Sequence, residues 1–235
     1  SQVIFAGHSV GEVLAFALSG KISVRDAMKF VSLRGKEMGK AASLSQTSMA
    51  AVLGGDREVV IETLTSHGLT AANENGANQI VAAGPTSGIG KLIAQPPAGS
   101  TVRALAVAGA FHTSAMEIAV APLSNLANEL ITSGLLVANN SKLLTNKDGS
   151  QVIDATKYLE LLVGQIANPV RFDLTMRELK RAGVSGVLEL PPAGVLSGLI
   201  KRELPEVEIY TLKKPTDLEG ARKFIDKHSP ELRVY

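Results

Sequence analysis

"VIFAGHSVGEVLAFALSG", residues 3–20, is the stretch on which the fold turns. Val3 to Ala6 is a short apolar run. Gly7-His8-Ser9-Val10-Gly11 breaks it, and Val10 to Leu18 then repeats apolar residues at helical spacing up to Gly20. A buried strand, a tight turn and a helix follow from that pattern. Gly-x-Ser-x-Gly at a strand-to-helix junction holds a serine in a strained backbone conformation, with its hydroxyl above the sheet and beside a helix N-terminus. A Cβ at either glycine is expected to clash in so sharp a turn. The same residues also fit a serine that does no more than cap a helix.

Outward from this turn the chain alternates. Ser23 to Lys40 reads as a second helix, with Ser23 and Asp26 in a capping-box arrangement in which Asp replaces the usual Glu. Met49 to Leu53 reads as a strand and Asp56 as the cap of a helix ended by Gly68. Leu69 to Asn73 and Gln79 to Ala83 read as strands, Thr86 to Ala94 as a helix and Val102 to Val107 as a strand. That order, βαββαβ, is the split arrangement of ferredoxin-like domains, and residues 46–109 are expected to form a small inserted subdomain. Beyond it, Ser114–Ile131, Ala155–Ala167, Leu174–Arg181, Val195–Glu203 and Asp217–Lys227 read as helices. Gly186–Leu190 and Val207–Leu212 read as strands. Strands alternating with helices imply an α/β core, residues 1–45 and 110–235, around a mostly parallel sheet covered on both faces.

Composition narrows the partners. Of 235 residues, 24 are Lys or Arg and 22 are Asp or Glu, for a net charge of +2. The basic residues are dispersed and aromatics make up only 4%, which argues against nucleic acid. A modest basic face for an acidic protein remains open. No window is long and apolar enough for a membrane span, and the opening Ser1-Gln2 lacks the basic start of a secretory signal. Cysteine is absent, so neither a thiolate nucleophile nor a Cys-based metal site exists, and a reducing, cytoplasmic setting fits.

A serine nucleophile needs a base, and the chain has four histidines. His67 ends a helix, where a solvated contact with the helix dipole is expected. His228 lies in the polar C-terminal stretch, and His8, next to Ser9, should point elsewhere. Elimination leaves His112 in "VAGAFHTSAM", at a strand-to-helix junction of the kind that lines the carboxyl edge of an open sheet. No acidic residue between Ser9 and His112 stands out as a third member, so a backbone carbonyl or an amide is expected to orient the imidazole. Arg34, late in its helix and between Leu33 and Gly35, is either a solvated surface charge or a buried clamp for a substrate carboxylate.

Together, Gly7-His8-Ser9-Val10-Gly11-Glu12, Leu33-Arg34-Gly35 with Met38, and Ala110-Phe111-His112-Thr113 resemble the malonyl-CoA:acyl carrier protein transacylases. Gln165 in "QIANPVRFD" and "LELPPAGVLSGLIKREL" extend the likeness over nearly the whole chain. The resemblance implies a hydrolase-like α/β core with a ferredoxin-like insert, agreeing with the pattern above. It implies Ser9 as nucleophile, His112 as general base and acid, Arg34 on the free malonyl carboxylate, and Gln165 supporting the site and orienting the histidine. The Val10 N–H would be half of the oxyanion hole. Phe111 stands where relatives that accept branched extenders tend to carry Ser, so a malonyl preference is implied.

The family's reaction is ping-pong, from malonyl-CoA to the phosphopantetheine thiol of acyl carrier protein. It uses no cofactor or metal, CoA entering as a thioester substrate, and a monomer is expected. Two departures stand out. Pro191-Pro192-Ala193 replaces Gly-Pro-Gly, and the strand, Gly-Gln-Gly loop and helices that precede the elbow in the family are absent before Ser1. The residues given are therefore expected to be a truncated version of a longer protein; only if the polypeptide started at Ser1 would the second oxyanion donor be missing, an interaction worth on the order of 10²–10³ in rate. Competing readings are a serine hydrolase or thioesterase using the same pair, an acyltransferase module of a multidomain synthase, and a non-catalytic docking fragment.

Overall fold

The structure, a computed structural model, describes residues 3–76 and 78–229. The opening Ser1-Gln2 and the end at Tyr235 lie outside them. The chain starts with strand β1 (Ile4–Phe5) and helices α1 (Gly11–Leu18) and α2 (Val24–Ser43). Next come β2 (Thr47–Gly54), α3 (Arg57–Ser66), β3 (Thr70–Glu74), β4 (Gln79–Pro85), α4 (Thr86–Ala94) and β5 (Ser100–Ala104). A 3₁₀ turn, Ser114–Ala119, runs into α5 (Val120–Thr132), followed by β6 (Lys142–Leu144), β7 (Gln151–Val152), α6 (Ala155–Gln165) and β8 (Val170–Arg171). α7 (Phe172–Arg181), β9 (Gly186–Glu189), α8 (Val195–Glu203), β10 (Glu208–Thr211) and α9 (Leu218–His228) complete the order.

Local chemistry sets these boundaries. Ser23 caps α2 by accepting the Asp26 N–H at 3.0 Å. The capping box is not closed as expected. The Asp26 carboxylate takes the Ser23 hydroxyl at 2.6 Å, because Asp is one methylene too short to reach back to the cap's own N–H. Asp56 caps α3 through the N–H groups of Glu58 and Val59. Gly20 and Gly68, with φ +74° and +68°, take the left-handed turn after α1 and α3. Across the Pro191-Pro192-Ala193 loop, the Glu189 carboxylate accepts the N–H groups of Gly194, Leu196 and Ser197 and so caps α8.

The fold is α/β with mixed sheets. Outside residues 46–109 the strands of the described residues do not make the expected single, mostly parallel sheet. β1 pairs parallel with β6 while β7 runs antiparallel to β6, and β9 and β10 form a separate parallel pair. The other sheet runs β5-β2-β4-β3-β8. β5, β2, β4 and β3 are antiparallel neighbours, and β8 adds parallel to β3 through Asn73↔Val170. The sheet of residues 46–109 is therefore not closed on itself: β3 would leave an unpaired edge, and β8 covers it.

Two apolar cores flank the site. One gathers Phe16, Phe30, Leu123, Tyr158 and Leu162 between α1, α2, α5 and α6. The other packs Phe172, Met176, Leu199 and Ile200 under α7 and α8. A separate cluster of Val52, Leu64, Ile80 and Leu92 fills the sheet of residues 46–109 against α3 and α4. Met49, Ala72, Val81 and Ala83 join that sheet to Ala110 and Phe111, just before His112. Because β1 and β6 are parallel, their C-terminal ends reach the same edge. The turn after β1 and the segment Thr145-Asn146 after β6 meet there, where ligand sites collect in open α/β sheets.

Candidate active site

Ser9 sits in the turn between β1 and α1 with φ +53°, a left-handed conformation that costs a non-glycine residue about 1–3 kcal/mol. Gly7 makes the turn possible. A Cβ there would lie 2.1 Å from the Gly11 carbonyl carbon and 2.3 Å from the Glu12 nitrogen, both backbone atoms. The expected clash at Gly11 is absent. That residue opens α1 and a Cβ on it meets nothing within 4 Å. Gly7→Ala is accordingly expected to cost on the order of 3 kcal/mol, and Gly11→Ala far less; denaturant unfolding of the two variants checks the contrast.

Four side chains converge on this turn. The Ser9 hydroxyl donates to His112 Nε2 at 2.7 Å and accepts from Arg34 Nη2 at 3.0 Å. Arg34 comes from the middle of α2, which runs three residues beyond the expected Lys40. It is buried, not solvated, and the same Nη2 donates to Gln165 Oε1 at 3.3 Å. Its Nε is buried without a hydrogen-bond partner among the described residues, an arrangement that costs about 1–3 kcal/mol until an acceptor arrives. Burial lowers the Arg34 pKa to about 10, against the pull of the Glu12 carboxyl. The guanidinium thus stays charged at neutral pH.

His112 also has a positive φ, +61°, and its own N–H donates to the Ile166 carbonyl at 3.1 Å. Nδ1 lies 2.8 Å from the Gln165 carbonyl at the end of α6. A carbonyl only accepts, so Nδ1 carries the proton and Nε2 turns its lone pair to Ser9. No carboxylate among the described residues touches the imidazole; a peptide oxygen orients it. Burial, then the Arg34 charge, hold the pKa down at about 4, against the upward pull of the Gln165 carbonyl.

The sign of that shift is testable. The base is free above pH 4, so kcat/KM of acylation is expected to stay level through 6.5 and fall only near 4. An acid limb at 6.5 would contradict it. Stability from burying neutral imidazole is present above pH 6.5 and is lost as pH falls through about 4, so unfolding is followed over the same range.

The remaining expected residues fall around this centre. The Val10 N–H, at the mouth of α1, donates to none of the described residues. Phe111 is half-buried and packs against the main core and the Ala110 cluster. His8 does point away from Ser9: Nε2 meets Asn75 Oδ1 at 2.8 Å and the ring stands edge-on to Phe172. His67 is the C-cap of α3, as expected at a helix end, and is half-buried, with Nδ1 buried without a partner among the described residues. His228 is no loose tail residue; it closes α9, stacks near Phe224 and meets Ser185 and Glu208.

Two residues close to the centre carry no role in the sequence reading. Asn146 Oδ1 accepts the Ser9 N–H at 2.8 Å, and its Nδ2 donates to the Gly7 carbonyl at 2.8 Å, so one amide spans the turn. Glu12, buried in the first turn of α1, accepts from the Asn146 N–H at 2.7 Å and from Gln165 Nε2. Asn146 lies in the polar run "TNKDG", which reads as an ordinary turn. Glu12 reads as a surface acid at a helix N-terminus.

An acyl transferase domain model matches residues 1–216. The malonyl CoA-acyl carrier protein transacylase of Mycolicibacterium smegmatis is 45% identical over 224 residues, covering 94% of this chain and 76% of that protein. The protein of the same name from Mycobacterium tuberculosis is 44% identical, over 93% of this chain and 71% of its own length. The crystal structure of MCAT from Mycobacterium tuberculosis superposes with a TM-score of 0.89 at 43% identity, covering 94% of this chain and 72% of that one. An acyl-carrier-protein S-malonyltransferase from Burkholderia pseudomallei gives a TM-score of 0.84 at 32% identity, covering 93% and 72%.

Proposed function

The chain belongs to the acyl transferase domain family, and from that membership and the site geometry we propose that it moves a malonyl group from malonyl-CoA to the phosphopantetheine thiol of acyl carrier protein, supplying fatty acid synthesis. One observation carries the reading. A single oxygen, Ser9 Oγ, lies within hydrogen-bond distance of a neutral imidazole and of a buried guanidinium. The first activates it; the second places a carboxylate beside it.

In the first half-reaction Ser9 Oγ attacks the thioester carbonyl as His112 Nε2 takes the hydroxyl proton. The negative charge that develops on the carbonyl oxygen faces the Val10 N–H and the dipole of α1. Collapse breaks the C–S bond, and the proton on His112 leaves with the CoA thiol. Malonyl remains as an ester on Ser9, its free carboxylate on Arg34. In the second half the carrier thiol gives its proton to His112 and attacks the ester. Ser9 departs, recovering that proton. The Gln165 carbonyl holds Nδ1 throughout, so one ring nitrogen serves both directions.

The selectivity has a physical basis. Arg34 is charged and without a counter-ion until a carboxylate binds, so a neutral acyl chain leaves it unpaired. Phe111, wedged between two cores, would crowd a branched substituent. The βαββαβ order and the separate apolar cluster of residues 46–109 support a ferredoxin-like subdomain there, and the parallel β1–β6 pair with the Ser9 turn at its C-terminal edge supports a hydrolase-like core over residues 1–45 and 110–235. The lack of cysteine supports a cytoplasmic setting, and we take the enzyme to act as a monomer. The test is incubation with malonyl-CoA followed by intact-protein mass spectrometry and peptide mapping. One malonyl adduct on Ser9 is the expected result; an unlabelled protein, or an adduct elsewhere, overturns the reading.

A further inference from the structure

Hydrogen bonds have direction, and around Ser9 that direction is fixed at every step. Arg34 is a donor only, so the Gln165 atom that faces it must be Oε1. Gln165 therefore presents Nε2 to the other side, where it donates to Glu12 Oε2. Glu12 Oε1 accepts the Asn146 N–H at 2.7 Å, a backbone donor that cannot turn over. The Asn146 side chain is fixed in its turn by two backbone groups, the Ser9 N–H and the Gly7 carbonyl. Two arms thus end on Glu12. One runs through Asn146 to the nucleophile's turn; the other runs through Gln165 to the guanidinium.

We propose that Glu12 is a positioning residue whose two carboxyl oxygens set the hydrogen-bond polarity of the site, holding the Ser9 turn through Asn146 and the Arg34 clamp through Gln165. The inference rests on the acyl-transfer reading above. Only a side chain that accepts at both positions meets these demands. A surface carboxylate could do so at little cost, but this one is 1% exposed. Among the described residues no cation lies within ion-pair range of it. Burial pushes its pKa up to about 8, so at neutral pH the carboxyl holds its proton.

A place for that proton exists. The Tyr158 hydroxyl gives its own proton to the Leu144 carbonyl at 3.1 Å, which leaves its oxygen as an acceptor beside Glu12. The other charged or titratable groups facing this centre are Arg34 from α2, and His112 and His8 from the two turns. A neutral Glu12 orders the network without cancelling the Arg34 charge that malonate needs.

Glu12→Gln puts an NH2 group where two acceptors are required. The Asn146 N–H cannot turn, so the amide oxygen stays with it and the NH2 faces Gln165. Gln165 then turns over and points its own NH2 at Arg34, donor against donor. The turn holds and the clamp is pushed aside. In Glu12→Gln the KM for malonyl-CoA in Ser9 acylation is expected to rise roughly tenfold or more, the size of one hydrogen bond to a charged group. Acetyl-CoA, which makes no use of the clamp, should keep its KM.

A second variant guards against simple misfolding. Combining Glu12→Gln with Gln165→Glu restores the donor–acceptor match on both sides of position 165, because a carboxylate there accepts both from the new amide at position 12 and from Arg34; only the long 3.4 Å donation from Gln165 Nε2 to Asn146 Oδ1 is given up. The melting temperature of this double variant should return toward the wild type. Its malonyl binding should stay weak, because the new carboxylate neutralises Arg34. Unchanged malonyl kinetics in Glu12→Gln, an equal loss for malonyl and acetyl in a folded variant, or a double variant no more stable than the single one overturns the inference. An unlabelled wild-type protein overturns the functional reading instead.

Discussion

Ser9→Ala is expected to eliminate the malonyl adduct and to lower transfer on the order of 10⁴- to 10⁶-fold, the scale at which a nucleophile acting with its base is lost. The substitution removes one oxygen and keeps the Cβ, so the backbone strain at φ +53° is the same in both proteins. The turn itself is held by groups the change leaves alone: the Asn146 amide on the Ser9 N–H and the Gly7 carbonyl, and the glycine that lets α1 approach. What disappears is the oxygen shared by His112 and Arg34. Both partners keep their bonds to Gln165. The variant should therefore unfold within a few degrees of the wild type and still bind malonyl-CoA. Thermal unfolding beside intact-mass labelling separates the cases. A folded Ser9→Ala protein that still takes up malonyl would show that another residue is the nucleophile.

That separation of chemistry from stability mirrors what the sequence disclosed and what it hid. Elements specified by local chemistry were readable one residue at a time. Gly7 forces the turn, Ser23 and Asp56 cap their helices, and Gly20 and Gly68 stop theirs. The βαββαβ order of residues 46–109 followed from strand and helix periods alone. Strands β1, β7 and β8 are two residues long and β6 is three. No period can be read in so few, and they exist because neighbouring backbone needs partners. β8 extends the β3 edge, something visible only once the chain is folded.

The site divides in the same way. Ser9, Arg34 and His112 announce themselves by residue type at a structural junction or in an apolar setting. Gln165 acts on His112 through its peptide carbonyl, which any residue would supply, so periodicity and spacing were silent on it and only the family likeness pointed there. Glu12 and Asn146 carry ordinary local signals, a helix-start acid and a turn amide. Their roles arise from the parallel pairing of β1 with β6, which brings residues 12 and 146 together across the chain.

Arg34→Ala should convert the protein from one that demands a carboxylate into one that ignores it. Malonyl transfer is expected to fall on the order of 10²- to 10³-fold in kcat/KM, as for a buried, charge-assisted pair that loses one partner. Acetyl transfer should change little or improve, since the neutral acyl group no longer leaves a buried cation unpaired. Two side effects can be anticipated. Gln165 Oε1 loses a donor, so some stability goes with the clamp. The His112 pKa should rise, because the nearby positive charge is one of the causes holding it down. Its direction distinguishes loss of charge from loss of packing. Arg34→Met removes the charge but fills the space, and should show the same rise and the same switch in preference. The measurement is kcat/KM for malonyl-CoA and acetyl-CoA side by side, across pH. Equal losses for the two substrates would refute the clamp, for then Arg34 would be supporting the site and not reading the substrate.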